Sequence, residues 1–239
     1  MARNIGIANG YNLGLLLSIV TMLMMVRIDC TVTEALDVST KIPPPPPLSM
    51  PVWSFAASTK SISVSDATTT TASVSNSGTS MNIVTFCTPV SIVPKLWAVS
   101  LYHDTLTKDS FLSSRRGVLQ LLSPAQKHLV PILGKHSGYD SSFSKSIECS
   151  NVGMTWLTAS AFVSDHQLLP HCVLYVQLEF ISVTDAGDHV VAICKVLQTG
   201  LWDETTSCVQ PILDDKCLPP PMDASTVLYS GLLRQEGII

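Results

Sequence analysis

Charge is what this chain has least of. Only 13% of its 239 residues are Asp, Glu, Lys or Arg, about half the share in an average soluble chain. The formal net charge is −4, so there is no basic field to gather nucleic acid. Cys-x-x-Cys pairs are missing among Cys30, Cys87, Cys149, Cys172, Cys194, Cys208 and Cys217, which argues against a zinc ribbon or a thioredoxin-type site. Their number is odd, and several sit in apolar runs. They read as buried, reduced thiols that pack as small hydrophobes. Also missing are G-x-S-x-G, G-x-x-x-x-G-K-[ST], G-x-G-x-x-G and H-E-x-x-H. Their absence removes the nucleophile-elbow hydrolases, P-loop enzymes, dinucleotide folds and zincins. His166 and His171 flank a proline without a carboxylate-rich cluster, so no metal site is expected.

What is present begins with a leader. Arg3 is the only early charge, and Leu13 to Val26 is a continuous apolar run. It is shorter than the roughly 20 residues of a membrane-spanning helix. It has the form of a secretory h-region, with a small-x-small site at Thr33-Glu34-Ala35. An organellar transit peptide competes, because no acidic residue precedes Asp29. A third reading is a leader that is not a working signal. Residues 1–50 are expected to be an N-terminal leader that carries the apolar segment and ends in a stiff polyproline linker at Pro43–Pro47. Residues 51–239 are expected to form one soluble domain.

Within that domain Val52–Ala57 reads as a first strand, and Ser58–Ser80, rich in Ser and Thr, as a long loop. Asn82–Cys87 and Leu96–Tyr102 read as strands joined by Thr88–Lys95, a connector cut by two prolines. Thr107–Ser110 resembles a helix start, and Gly117–Leu122 a buried strand. Ser123-Pro124 opens a helix expected to run to about Leu129 and to stop before Gly134. His136–Asp140 reads as a turn. Cys172–Ser182 and His189–Leu197 form a hairpin about a turn at Thr184–Asp188. Many short strands, a few short helices and no βαβ rhythm predict a mainly β fold, a closed or split barrel.

The greasiest stretch, Met81 to Leu101 (MNIVTFCTPVSIVPKLWAVSL), carries more hydroxyls than a core strand needs. Thr85, Thr88 and Ser91 recur at spacing three, and Thr105, Thr107 and Lys108 follow the next strand. Hydroxyls and backbone N–H groups at strand ends hold phosphate, and a lysine adds a point charge. An apolar strand face beside them receives a flat ring. The pairing suits a flavin. The same hydroxyls also serve as strand-end and helix caps, and from the residues alone both readings stand. Trp53 and Trp97 read as core, Arg115 and Arg116 as a solvated pair.

Five motifs in order, two of them in this stretch, carry a family resemblance. Gly78, Asn82, Thr85, Ser91 and Pro94 fit a G-x-x-x-N-x-x-T segment and a Ser-x-x-Pro turn. Ser137-Gly138, Gly187-Asp188-His189 and Tyr229-x-Gly231 follow in order. Together they resemble the flavin reductase-like family of FMN-binding split barrels over about Val52–Gly237. The resemblance implies a Greek-key split barrel, homodimeric, with FMN in a groove and NADH or NADPH as co-substrate. It implies that Asn82, Thr85, Thr88, Ser91 and Ile92 line the isoalloxazine and ribityl chain. Ser100, Thr105, Thr107 and Lys108 would lie nearer the phosphate, and His189 near the ring or nicotinamide as the catalytic candidate. The chain departs from the pattern at Pro94-Lys95-Leu96, where members often have Pro-Pro-Leu, and in the length of its Ser58–Ser80 segment. The arginine-rich nucleotide sites of some reductases have no clear match.

The function expected is therefore an FMN-binding flavoprotein that passes hydride from NAD(P)H to flavin. The alternative is a non-catalytic FMN carrier or interaction barrel without turnover. A third class, a structural secreted β protein, is motivated by the leader alone.

Overall fold

The computed structural model describes residues 48–59, 78–158, 162–212 and 224–239. The leader, the polyproline run, most of the Ser58–Ser80 segment, Cys30 and Cys217 lie outside the described residues. Everything described belongs to one compact unit, Pro47–Ile239.

The strands are β1 (Trp53–Ser58), β2 (Thr79–Val84), β3 (Cys87–Ser91), β4 (Leu96–Tyr102), β5 (Arg116–Leu121), β6 (Leu157–Thr158), β7 (Gln167–Leu168), β8 (Leu174–Ala186), β9 (His189–Asp203) and β10 (Cys208–Pro211). The helices are α1 (Leu106–Ser114), α2 (Leu129–Lys135), α3 (Lys145–Asn151) and α4 (Ser230–Gln235), with 3₁₀ turns at Pro124–Gln126 and Ala224–Thr226. One antiparallel sheet runs in the order β2-β1-β5-β8-β9-β4-β3, with β10 beside β9 and β6–β7 as a separate small pair. The two ends of that order, β2 and β3, do not pair with each other. Instead the Ser100 N–H of β4 donates to the Phe86 carbonyl just past β2 (2.9 Å). The fold is mainly β, a split barrel with short helices.

Strand alternation builds two cores. From β1 and β5, Trp53, Phe55, Ala57, Leu119 and Leu121 point to one face, with Val99, Leu101, Leu178, Val190 and Ala192 from β4, β8 and β9. Val52, Ala56, Val118 and Leu122 point to the other, where Leu129, Val130 and Leu133 of α2 and Leu233 of α4 cover them. That is why β1 is buried at every residue and reads as continuously apolar. Trp53 packs edge-on to Trp97, ring centroids 5.5 Å apart, within the first core as expected. A Cβ on Gly117 would lie 2.4 Å from Phe55 Cζ. Only glycine lets that ring cross the sheet at this point.

Four expectations need redrawing. The Thr88–Lys95 connector is half strand: Thr88–Ser91 belong to β3, which pairs with β4, and 92–95 turn, with a cis Val93–Pro94 bond. Pro89 is tolerated because β3 is the last strand of the sheet, where a missing N–H costs no ladder bond on the open side. β2 begins at Thr79, inside the segment read as loop, and ends at Val84, short of Cys87. The helix at Pro124 is one 3₁₀ turn, because the Gln126 carboxamide folds back to accept from Ser123 N–H (2.9 Å) and donates to the Pro170 carbonyl (2.8 Å). The α-helix starts only at Leu129 and contains Gly134. The β8–β9 turn is narrower than Thr184–Asp188: β8 reaches Ala186, leaving Gly187 (φ +74°) and Asp188. Among the described residues no helix is long and apolar enough to cross a membrane.

Candidate functional site

The end of β2 meets β4, the start of α1 and the β8–β9 turn at one recess. Asn82, Ile83, Val84, Thr85 and Phe86 line one side. Ser100, Leu101, Tyr102, Thr105 and His189 complete it, around about 100 Å³. Ile83 and Thr85 are shared with an adjoining apolar recess of about 280 Å³ against Val130, Pro131, Gly134 and Leu233. The register explains the convergence. Tyr102 pairs with His189 as the last rung of β4–β9, and His103 N–H donates to the Asp188 carbonyl (3.2 Å).

His189 is half-buried, with Nδ1 2.6 Å from Asp188 Oδ1. That hydrogen bond holds the Asp188 carboxyl below its ordinary range. An ionised carboxylate only accepts, so Nδ1 carries the proton and Nε2 is left for a ligand. Tyr102 and Phe86 stand edge-on to the imidazole at 5.4 and 6.4 Å. They give the recess an aromatic wall.

Thr105 is the N-cap of α1. Its hydroxyl accepts from Lys108 N–H (3.3 Å) and donates to the Tyr102 carbonyl (3.0 Å). It is a lining residue whose hydroxyl is already committed to the cap. Leu106 and Thr107, the first helical residues, have no intrahelical acceptor for their N–H groups. These amides and the helix dipole favour an anion at this end.

The structure thus brings together Asn82, Thr85, Ser100, Thr105 and His189. It does not bring the others to the recess. Thr88 is exposed on β3, with its hydroxyl near the Pro89 carbonyl (3.4 Å). Ser91 is half-buried at the end of β3, and Ile92, 85% exposed, sits in the turn after it. Thr107 is 1% exposed, and its hydroxyl meets Ser80 Oγ at 2.8 Å. Lys108 Nζ pairs with Asp109 (2.9 Å). Phe86 and Tyr102 were legible as apolar residues but gave no signal of a site until the register put them beside His189. Lys145, which holds Asn82, carries no motif that marks it in the sequence.

Cys87, just past this wall, has its thiol pushed up to about 12 by burial. Cys172 and Cys194 are pushed to about 12 the same way, by burial first. The five described cysteines are all free, in line with packing rather than redox chemistry. Among the described residues no His, Cys, Asp and Glu cluster could hold a metal ion.

A split barrel with an aromatic-walled recess beside a helix start has the form of a small-ligand site. The flavin reductase like domain matches residues 64–211, and the chain belongs to that family. The chain is also similar to an FMN-binding protein from Thermus thermophilus with bound 1-cyclohex-2-enone. That likeness has 20% identity, 79% of this chain and 87% of the other covered, and a TM-score of 0.51. At that identity it bears on the fold. A second similar structure is the NADH:FAD oxidoreductase of Streptomyces globisporus in complex with NAD and FAD fragments, at 13% identity, with 69% and 79% covered and a TM-score of 0.48. A comparison with curated proteins gave no match.

The donor set fits a flavin. Thr85, Ser100 and Asn82 line a partly apolar recess, the mixture a flat ring edged with carbonyls requires. The helix start beside Thr105 suits the phosphate end.

Proposed function

We propose that this recess binds FMN and that the protein is an NADH- or NADPH-dependent flavin reductase acting as a homodimer. The observation that carries the reading is the convergence of Asn82, Thr85, Ser100, Thr105 and His189 at the end of β2, in a chain of this family. Bound FMN supplies a ring that accepts hydride from a nicotinamide. The chain's own residues bind and align. Ile83, Phe86 and Tyr102 form an apolar wall that keeps water from the ring. Asn82 and Ser100 hydrogen-bond its polar edge, and the first amides of α1 hold the phosphate. His189, with Nδ1 anchored on Asp188, offers Nε2 to hold or deliver a proton. Phe86, Val90, Ile92 and Val93 are exposed large apolar residues around the β3–β4 hairpin. That strip supports burial against a second copy.

The test is a purification. The protein should take up FMN, release it on denaturation, oxidise NADH or NADPH when FMN is added, and elute as a dimer. Failure to bind FMN would sink the reading. One observation favours a second reading, a non-catalytic FMN carrier. The residues lining the recess include neither Lys nor Arg, so the pyrophosphate of a nicotinamide dinucleotide finds no cation among them. Tight FMN binding without oxidation of either nucleotide would favour the carrier.

A further inference from the structure

Lys145 is 6% exposed at the first position of α3. Among the described residues no carboxylate forms an ion pair with it. An ammonium has three donors and no acceptor. Here all three are spent: on the Met81 carbonyl (3.0 Å), the Leu133 carbonyl (2.7 Å) and Asn82 Oδ1. The two carbonyls tie α3 to β2 and α2. The third contact has a chemical consequence. An ammonium cannot face an amide NH₂, so the Asn82 atom it meets must be the oxygen. That settles which way round the Asn82 amide sits. Asn82 also lines the recess, and with its oxygen turned to the ammonium the end of the amide left for other partners is Nδ2, with its two N–H groups. Among the described residues nothing accepts from them.

We propose that Lys145 is a positioning residue that makes Asn82 an obligate hydrogen-bond donor to the ligand in the recess. The site then selects a ligand edge of acceptors, carbonyl oxygen or unprotonated ring nitrogen, over an edge that presents N–H. The inference rests on the flavin reading of the recess. On an isoalloxazine it assigns Asn82 to the N1/O2 or the N5/O4 edge and excludes the N3–H. Lys145 is not among the residues that line the recess and acts through its direct contact with the Asn82 amide.

A double-mutant cycle on FMN affinity tests this, read by quenching of flavin fluorescence. Lys145→Met should weaken FMN binding roughly tenfold in the parent, about one lost hydrogen bond. In an Asn82→Ala background the same change should cost less than about twofold. Equal losses in both backgrounds would mean that Lys145 acts through the fold, and the proposal would be overturned. Asn82→Asp covers the case in which Lys145→Met does not fold. It keeps an oxygen toward the ammonium but has no N–H, and it should lose FMN at least as far as Asn82→Ala. Retained affinity in Asn82→Asp overturns the proposal on its own. If the parent binds no FMN, the flavin reading itself fails, and this inference with it, which is a different result from a parent that binds FMN without coupling.

Discussion

The hydroxyls of Ser80 and Thr107 meet at 2.8 Å, one inside β2 and the other in the first turn of α1. Both side chains are buried. This pair engages the Thr107 hydroxyl. Thr107→Val keeps the shape and orphans Ser80. It should cost about 1–2 kcal/mol in urea unfolding and leave FMN affinity within about twofold. A loss of affinity at unchanged stability would instead return Thr107 to the site.

His189 is predicted to matter to turnover more than to binding. Its Nδ1 is fixed by Asp188, and its ring is one wall among several. His189→Gln should lower NADH- or NADPH-dependent flavin reduction by about tenfold or more, with FMN affinity changed by less than about threefold. Steady-state rates beside a flavin titration separate the two. An unchanged rate removes His189 from the chemistry.

Stability should rise with pH where Lys145 titrates. Burial lowers its pKa from the ordinary 10.5 to about 8. Below about 8 both folded and unfolded chains hold the proton, and the folded chain bears the full cost of a buried charge. Between about 8 and 10.5 only the unfolded chain holds it, so stability climbs as pH rises. The climb amounts to about 3 kcal/mol. Lys145→Met should remove that part of the slope, read as the difference between two sets of denaturant curves across this range. Parallel curves would show that the ammonium is not so strained.

Gly117 is the position least able to accept a side chain. An added Cβ would sit 2.4 Å from Phe55 Cζ and 3.1 Å from the Ala56 carbonyl. Phe55 is itself held edge-on by Phe111 at 4.9 Å. Gly117→Ala should cost about 1–3 kcal/mol, visible as a lowered melting temperature. Phe55→Leu should restore part of it by vacating the contact.

Much of this fold was legible because its signals are local. β1, β4 and β5 announced themselves as apolar runs, and the β8–β9 hairpin by Gly187 at its turn. β3 was hidden by Pro89 and Pro94, since nothing local says that a proline lies on the open side of the last strand. The short 3₁₀ turn at Pro124 depends on Gln126 reaching Pro170, a partner 44 residues away. The site divides the same way. Asn82, Thr85 and His189 could be proposed from spacing and resemblance. Thr107 could not be told from a ligand contact until Ser80 was seen opposite it. Lys145 looked like any surface lysine, because its burial is set by acceptors 12, 63 and 64 residues away.

The same lysine has a second effect, on the outside of the sheet. β2 is the terminal strand of the order, and an unpaired terminal strand offers its carbonyls to any passing chain. The Met81 carbonyl is already taken by the ammonium, and α2 and α3 contribute the groups that bring it there. Extension of the sheet by a foreign strand would have to displace a buried cation first. At this position the terminal strand beside the recess has its carbonyl engaged, which works against edge-on pairing there.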